Sequence, residues 1–528
     1  MNASQTRFLG IDLGTGSLKV VIVDETLAER AAASVAYNLE TPQPGWAEID
    51  VERWWDALVL ACERLPASER ALVRAIGFSG QMHGVVPTDA AGQALRPAML
   101  WPDTRARALL DAWPGAGLGL RSDAGLGAWS DNEAHPQPNP VAPGMAGPLL
   151  YWLMRHERAT ADATRWALQP KDWLRVRLAG GAHARSEAFV ADPSDACATA
   201  LAAPDGAWDV ALIERFGLPV RWFAPLAPSS AASGTLCPEA ARALGLPAGI
   251  VLATGAGDTP CAVLGSGLRD DGDALLTTGT GGQIVVTSSA EPPARRGLHR
   301  YRSASGGWYA MAAMQNVGVA LEAARGWLSC DWNEAYEEAF AAPPSQTLTF
   351  LPYLSGERSP WLDPAARGGW LGAGLGDTRG VLMRAAFEGV AFALRAGLDA
   401  LRGAPGAHVA DAADGADAAG TVDIDGGGTP HARIAVLKLA GGGSVDARWR
   451  QLLADVLGAQ LDAIDCPNAA ARGAALLGGV ACGHWRMDEL AAFAPAATCV
   501  AQPRADAALA QRYARFIDLY GRVRTWFA

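Results

Sequence analysis

A chain of 528 residues exceeds what one hydrophobic core serves, so two domains are the starting expectation. Half of the residues are hydrophobic and only 19% are charged, with 60 glycines and 33 prolines, a balance that excludes a disordered chain. The formal net charge of −11, with no basic run, argues against nucleic acid as a partner, because phosphate neutralisation needs clustered Lys and Arg, and leaves a small molecule.

The chain passes from a short polar leader into a strand carrying Asp12 without the apolar stretch of a secretory signal, and it offers no run of eighteen apolar residues. A cytoplasmic protein with no membrane partner is expected. The cysteines at 62, 197, 237, 261, 330, 466, 482 and 499 stand singly, with no CxxC pair and no Cys/His grouping at metal-ligand spacing, and read as reduced, mostly buried thiols. Residues 8–24, FLGIDLGTGSLKVVIVD, read as a β-hairpin with Gly14, Thr15, Gly16 and Ser17 at the turn. Asp50 and the VERWWDALVLACERL that follows it predict a capped helix. Residues 114–147, rich in Gly and Pro, are expected to wrap the first domain.

Further along, VLATGAGDTPCAVLG gives an apolar strand ending in Gly255, Ala256 and Gly257, then Asp258, with a helix expected after Thr259. Residues 274–287, ALLTTGTGGQIVVT, repeat the first hairpin about half a chain later, with Gly279, Thr280, Gly281 and Gly282 at the turn. The repeat suggests two domains of common ancestry facing each other across a cleft, although two independent Gly-rich hairpins would look the same. Residues 403–432, rich in Gly, Ala and Asp and without hydrophobic period, read as an inserted surface loop. A strand over 434–439 leads to Gly441, Gly442 and Gly443. Beyond them Trp449, Leu452, Leu453, Val456 and Leu457 mark one face of a helix, with Ser444 as N-cap, Asp446 in the first turn and Gly458 at the C-terminal cap. The triple glycine is either an ordinary strand-to-helix turn or a place where an anion or polar ring approaches the backbone. A last helix is expected over 506–527.

Nucleoside triphosphate chemistry needs backbone N–H groups around phosphates, a carboxylate for hydrated magnesium, and a residue that orients the attacking oxygen. The chain has no GxxxxGK[ST] loop and no HRD set, so its hairpins must hold the phosphates. Asp12 lies just before the first turn, whose Gly14, Thr15, Gly16 and Ser17 could present amides and hydroxyls to phosphate oxygens. Asp258 has two readings: a base that takes the proton of an alcohol nucleophile, or a helix cap.

These residues carry a resemblance. IDLGTGSLK, GWAEID, GFSGQMHG, WPDTR, PKDWLRVRLAG, GAGD, TTGTGG, FLPYLSGERSP, FEGVAFAL and AGGGSVDARWRQLLADVLG follow one another over nearly the whole chain, which closely resembles the bacterial xylulokinases of the FGGY carbohydrate kinase family. The resemblance implies a two-domain actin-like ATPase (ribonuclease H-like) fold, α/β, with mixed sheets flanked by helices and an active site in the interdomain cleft. It divides the chain into a sugar-binding domain over residues 1–252 and a nucleotide-binding domain over 253–528. It further implies ATP-dependent phosphorylation of D-xylulose at the 5-hydroxyl, with ATP and Mg²⁺ as cofactors and a homodimer as one possible assembly. Ribulose, deoxyketose and glycerol kinases of the same family are the alternatives, and an actin- or chaperone-like ATPase module without enzymatic sugar chemistry is the alternative outside it.

Residue by residue, Asp258 matches the family's catalytic base, and Gln81, Met82 and His83 match its pentulose-contacting segment. Read without the resemblance, His83 is simply a histidine after a strand. Trp101 and Asp103 look like the wall and a hydroxyl acceptor of the sugar pocket, although Trp101 could be simple core. Asp12 would face the sugar and, with Asp258, hold Mg²⁺. The turns at Gly14, Thr15, Gly16 and Ser17 and at Gly279, Thr280 and Gly281 would grip phosphates, and Gly441, Gly442 and Gly443 would lie under the adenosine. The chain departs from the pattern at Thr259, where xylulokinases usually carry Asn, at Leu149 in place of Lys, and in the 403–432 insertion.

Overall fold

Both Gly-rich segments fold as hairpins that open a sheet. The computed structural model describes residues 6–113, 139–403 and 434–527. β1 (Arg7–Leu13) and β2 (Ser17–Asp24) pair antiparallel around the first turn, and β3 (Glu29–Ala36) joins β2. β4 (Val73–Gly80) lies parallel to β1, followed by β5 (Ala232–Thr235), β6 (Val251–Ala253) and β7 (Ala256–Gly257). The order is β3-β2-β1-β4-β6-β5, with β7 pairing β4. β1 and β4 are buried along almost their whole length, as expected of central strands covered on both faces.

The second sheet repeats this plan. β8 (Ala274–Thr278) and β9 (Gly282–Ser288) form its hairpin, and β10 (His299–Arg302) and β11 (Trp308–Met314) extend it antiparallel. β12 (Val436–Ala440) then lies parallel to β8, as β4 does to β1, and β13 (Gln460–Ile464) and β14 (Ala497–Ala501) complete the order β10-β11-β9-β8-β12-β13-β14. The strand expected over 434–439 thus starts two residues later, at Val436.

Helices cover the faces. α1 (Glu52–Glu63) follows Asp50, whose carboxylate accepts from the Glu52 amide, and α2 (Pro170–Leu178) meets it through Trp54 and Trp173, rings 6.0 Å apart. The short α3 (Pro193–Ala196) and α4 (Asp258–Gly265) lie by β7, and the 24-residue α5 (Arg379–Arg402) buries Phe387, Val390 and Leu394 in the core of the second sheet. α6 (Ala447–Leu457) ends on Gly458 in the left-handed conformation, as its spacing predicts, but its N-cap is Asp446, which accepts from Arg448 and Trp449 amides. The Ser444 hydroxyl is instead paired with Thr278 Oγ1 at 2.8 Å, so it is not free to cap. α8 (Ala507–Val523), capped by Asp506, occupies the expected last helical segment; α7 (Ala469–Ala481) precedes it.

α7 belongs to the second half of the chain yet packs on the first sheet. A Cβ at Gly10 would lie 1.8 Å from Ala471 O, and one at Gly77 1.7 Å from Ala474 O. Only glycine lets the helix backbone come this close to β1 and β4. The expectations for residues 114–138 and 404–432 lie outside the described residues.

Candidate active site

The carboxyl ends of parallel strands are where such sheets bind ligands. There, β1, β4 and β7 align Asp12 with Ser79, and Ser79 with Ala256. Asp12 Oδ1 accepts from Ser79 Oγ at 2.8 Å. Two residues past Ala256 the chain enters α4 at Asp258 itself, two positions earlier than expected of a helix after Thr259, and Gly257 occupies the N-cap position. Capping is therefore not the task of Asp258. Its Oδ1 accepts from the amide of the next residue, Thr259, at 2.6 Å and lies 3.4 Å from the Thr259 hydroxyl. Burial, and then the nearby charge of Asp12, pushes the Asp258 carboxyl up to about 6. Burial also raises Asp12, against the opposing effects of Ser79 and Lys19.

Beyond β4, Gln81 is buried and ties the first turn together. Its amide group donates to Gly14 O at 3.3 Å and accepts from Thr15 Oγ1 at 3.2 Å, while Trp101 Nε1 donates to the same Thr15 oxygen at 2.8 Å. Trp101 is 46% exposed and so is not core. Met82 packs against Gly257, where a Cβ would meet its Cγ at 2.6 Å, and its sulfur receives the Tyr309 hydroxyl of the second sheet at 3.9 Å. His83 adopts φ +75°, is held through Nδ1 at 2.6 Å from Ala198 O, and lies 6.2 Å, ring to ring, from Tyr301 on β10. Burial lowers its pKa and keeps the ring neutral. Met82 and His83 thus sit on the seam between the two sheets, next to the residue that precedes Asp258.

Asp103 is a correction to the sugar-contacting set. It is fully buried, with one oxygen accepting from the Ala47 amide at 2.7 Å and both held by Arg105. Arg105 in turn reaches Glu48 at 2.6 Å and lies over the Trp46 ring at 3.7 Å. With both oxygens committed, Asp103 fastens WPDTR to GWAEID and has no free acceptor for a sugar.

The second hairpin and the triple glycine form a separate group. Gly443 N donates to Thr278 O at 3.1 Å, and Gly441, at φ +92°, crosses so close that a Cβ would lie 2.2 Å from the same carbonyl. Gly279 and Thr280 are exposed, and their carbonyls receive the amides of Gly318 and Val319 at 3.0 Å each. Gly16 and Gly442 both have open space where a side chain would stand. Sequence reasoning missed Ser79, Tyr309 and the segment around Ala198. It also passed over Lys171, Asp172 and Arg175, three charges on the buried helix α2, where a polar residue signals a partner.

Asp12 and Asp258 are hard oxygen donors in a half-buried, like-charged pair, and among the described residues no group of three or more His, Cys, Asp or Glu is arranged to hold a metal alone. That donor set fits Mg²⁺, which keeps waters and substrate phosphates in its shell, and not an ion that needs a protein cage.

The N-terminal domain of the FGGY family of carbohydrate kinases matches residues 7–265, and its C-terminal domain residues 274–482. The chain belongs to this family. It is a sugar kinase enzyme, and FGGY kinases take ATP as phosphate donor. This FGGY kinase is 30% identical over 469 residues to the xylulose kinase of Escherichia coli, spanning 86% of each chain. The crystal structure of xylulose kinase from Rhodospirillum rubrum matches it with a TM-score of 0.79 at 25% identity, covering 99% of both chains. Plasmodium falciparum glycerol kinase with ADP, TM-score 0.81 at 19% identity and 98% of both chains, shares the fold. The FGGY kinase accordingly has the two-domain actin-like ATPase fold, each domain a mixed sheet flanked by helices. No helix among the described residues is long and apolar enough to cross a membrane.

Proposed function

We propose that this FGGY kinase transfers the γ-phosphoryl group of ATP to the 5-hydroxyl of D-xylulose, giving D-xylulose 5-phosphate, with Asp258 as the base. The observation that carries the reading is the half-buried Asp12 and Asp258 pair beside the Met82 and His83 loop. A carboxyl at about 6 is mostly ionised at neutral pH and basic enough to accept the proton of an alcohol as it attacks. Similarity to xylulose kinases of Escherichia coli and, at 26% identity over 98% of the chain, of Bacillus subtilis supports the choice of sugar.

In the proposal Gln81, Met82, His83, Trp101 and Asp12 surround the sugar. The turns at Gly14, Thr15, Gly16 and Ser17 and at Gly279, Thr280 and Gly281 hold phosphates, and Gly441, Gly442 and Gly443 underlie the adenosine. Residues 1–252 supply the sugar side and 253–528 the nucleotide side, with Asp258 reaching across. Asp12 and Asp258 would hold Mg²⁺ through water, and the ion would neutralise phosphate charge. Phosphoryl transfer is loose, so the protein's part is mainly to orient the hydroxyl and receive its proton. The enzyme would act in the cytoplasm, where its eight free cysteines stay reduced.

The test is ADP release with MgATP against D-xylulose, D-ribulose, L-ribulose, L-xylulose, a deoxyketose and glycerol. The highest kcat/KM is expected for D-xylulose. A higher value for another acceptor overturns the sugar and leaves the transfer chemistry in place.

A further inference from the structure

Beneath the proposed site lies a set of buried charges that the reaction does not itself use. On α2, Lys171 and Asp172 are 1% and 0% exposed, and Arg175 is 0% exposed. Lys171 Nζ meets Asp172 Oδ1 at 2.8 Å, Asp192 Oδ1 at 2.9 Å and Asp195 Oδ2 at 2.9 Å. Ionised groups are costly to bury unless they are paired and bonded, so a cluster of this size asks for a role. Its outward contacts supply one. They converge on the backbone of residues 254–257, the segment that delivers Asp258.

Arg175 Nη1 donates to Thr254 O at 2.5 Å, and Gly255 N donates to Ser229 O at 2.9 Å. Gly257 N donates to Ser194 Oγ at 3.1 Å, and that hydroxyl donates to Asp192 Oδ2 at 2.6 Å. Asp192 Oδ2 also receives the Ser229 hydroxyl at 2.9 Å. Four residues after Ser194, Ala198 O holds the His83 ring in its left-handed backbone position. One short buried segment therefore grips both the residue before the proposed base and a residue that would touch the sugar.

We infer that Ser194 is a positioning residue for phosphoryl transfer, its hydroxyl relaying the anchor of Asp192 and Lys171 to the Gly257 amide and so fixing the carboxylate of Asp258 against the substrate hydroxyl. The inference rests on the proposed role of Asp258. Misplacement of a reacting group by about 1 Å can cost as much as a hundredfold in rate, so a tenfold effect is a modest expectation for one lost bond.

Kinetics of Ser194→Ala, Ser229→Ala, Asp258→Asn and the Ser194→Ala/Asp258→Asn pair test it, alongside thermal unfolding of each. Ser194→Ala is expected to lower kcat about tenfold with KM for sugar and ATP changed less than about twofold. Ser229→Ala, which removes an equivalent bond to Asp192 but leaves the Gly257 amide paired, is expected to keep parental kcat. In the double variant the Ser194 effect should vanish, because the group it positions is gone. Should Ser194→Ala fail to fold, Ser194→Cys, which fills the same space with a weaker acceptor, is expected to lose kcat in the same sense. Parental kcat in a folded Ser194 variant, equal losses in the two serine variants, or additive losses in the double variant overturn the inference. Parental turnover in Asp258→Asn instead removes the base reading on which it stands.

Discussion

At residue scale the site depends on how Asp258 and Asp12 share a small volume. The ordinary value for such a carboxyl is 3.8, and burial together with the charge of Asp12 carries Asp258 to about 6. Activity should therefore fall as pH drops through about 6, because the base of the free enzyme is then protonated; bound magnesium would draw this limb lower. Stability runs the opposite way. A carboxyl raised in the folded state contributes stability that is present below about pH 4 and is lost as pH rises through about 6. Thermal unfolding across pH 4–7 should show this loss in the parent protein and not in Asp258→Asn, and Asp12→Asn should move it to lower pH. Identical curves for parent and Asp258→Asn, or an activity limb above pH 7, would exclude the assignment.

Residue identity was legible in the sequence where the decisive interaction is local. Asp12, Gly14 and Thr15 are set by a tight turn between two strands that are adjacent in sequence, and Gly458 is a left-handed cap at the end of a clear apolar face. Asp103 was not legible, because its meaning depends on Arg105, Ala47 and Glu48 meeting it in space. Ser444 and Asp446 are both good caps by type, and only the partner at Thr278 removes Ser444 from the choice. Lys171 and Arg175 would read as a solvated helix face, whereas beyond Asp172 they are also paired with the Asp192 carboxylate and with the carbonyls of Val190 and Thr254 on other segments.

At the scale of elements, one glycine on each of β1 and β4 decides whether α7 can dock. Ala471 O and Ala474 O occupy the positions where side chains on β1 and β4 would begin, and neither strand nor helix backbone can yield as a flexible side chain would. Gly10→Ala should consequently cost about 3 kcal/mol, the upper part of the usual overpacking range. Gly16→Ala, with nothing within 4 Å of the new methyl and no positive φ, should change stability by less than about 0.5 kcal/mol. Denaturant midpoints of the two variants make the comparison. Equal midpoints would mean that α7 slides freely on the sheet.

For the whole molecule, the hairpin repeat foretold two sheets of one plan, and the pairing of β1 with β4 and of β8 with β12 bears it out. What the repeat could not convey is that the domains are not independent along the chain. The packing of Phe8, Val21, Val23 and Ala75 is completed by Ala471, Ala474, Leu477 and Trp485, residues more than 390 positions later. Its glycine-rich contacts have no long apolar stripe to announce them.

That late return of α7 has a consequence for biosynthesis. While a ribosome is still making the second half, the first sheet has one apolar face covered only in part, by Cys261 and Leu264 of α4, and vectorial folding of an N-terminal unit cannot run to completion. The nascent chain should stay sensitive to protease and dependent on holding chaperones until residues near 481 have left the exit tunnel. A fragment ending at Gly265 should be insoluble or molten when expressed alone, and should gain protease resistance when residues 266–528 are supplied as a second chain. A fragment that is compact and protease-resistant alone would show that the face needs no further cover.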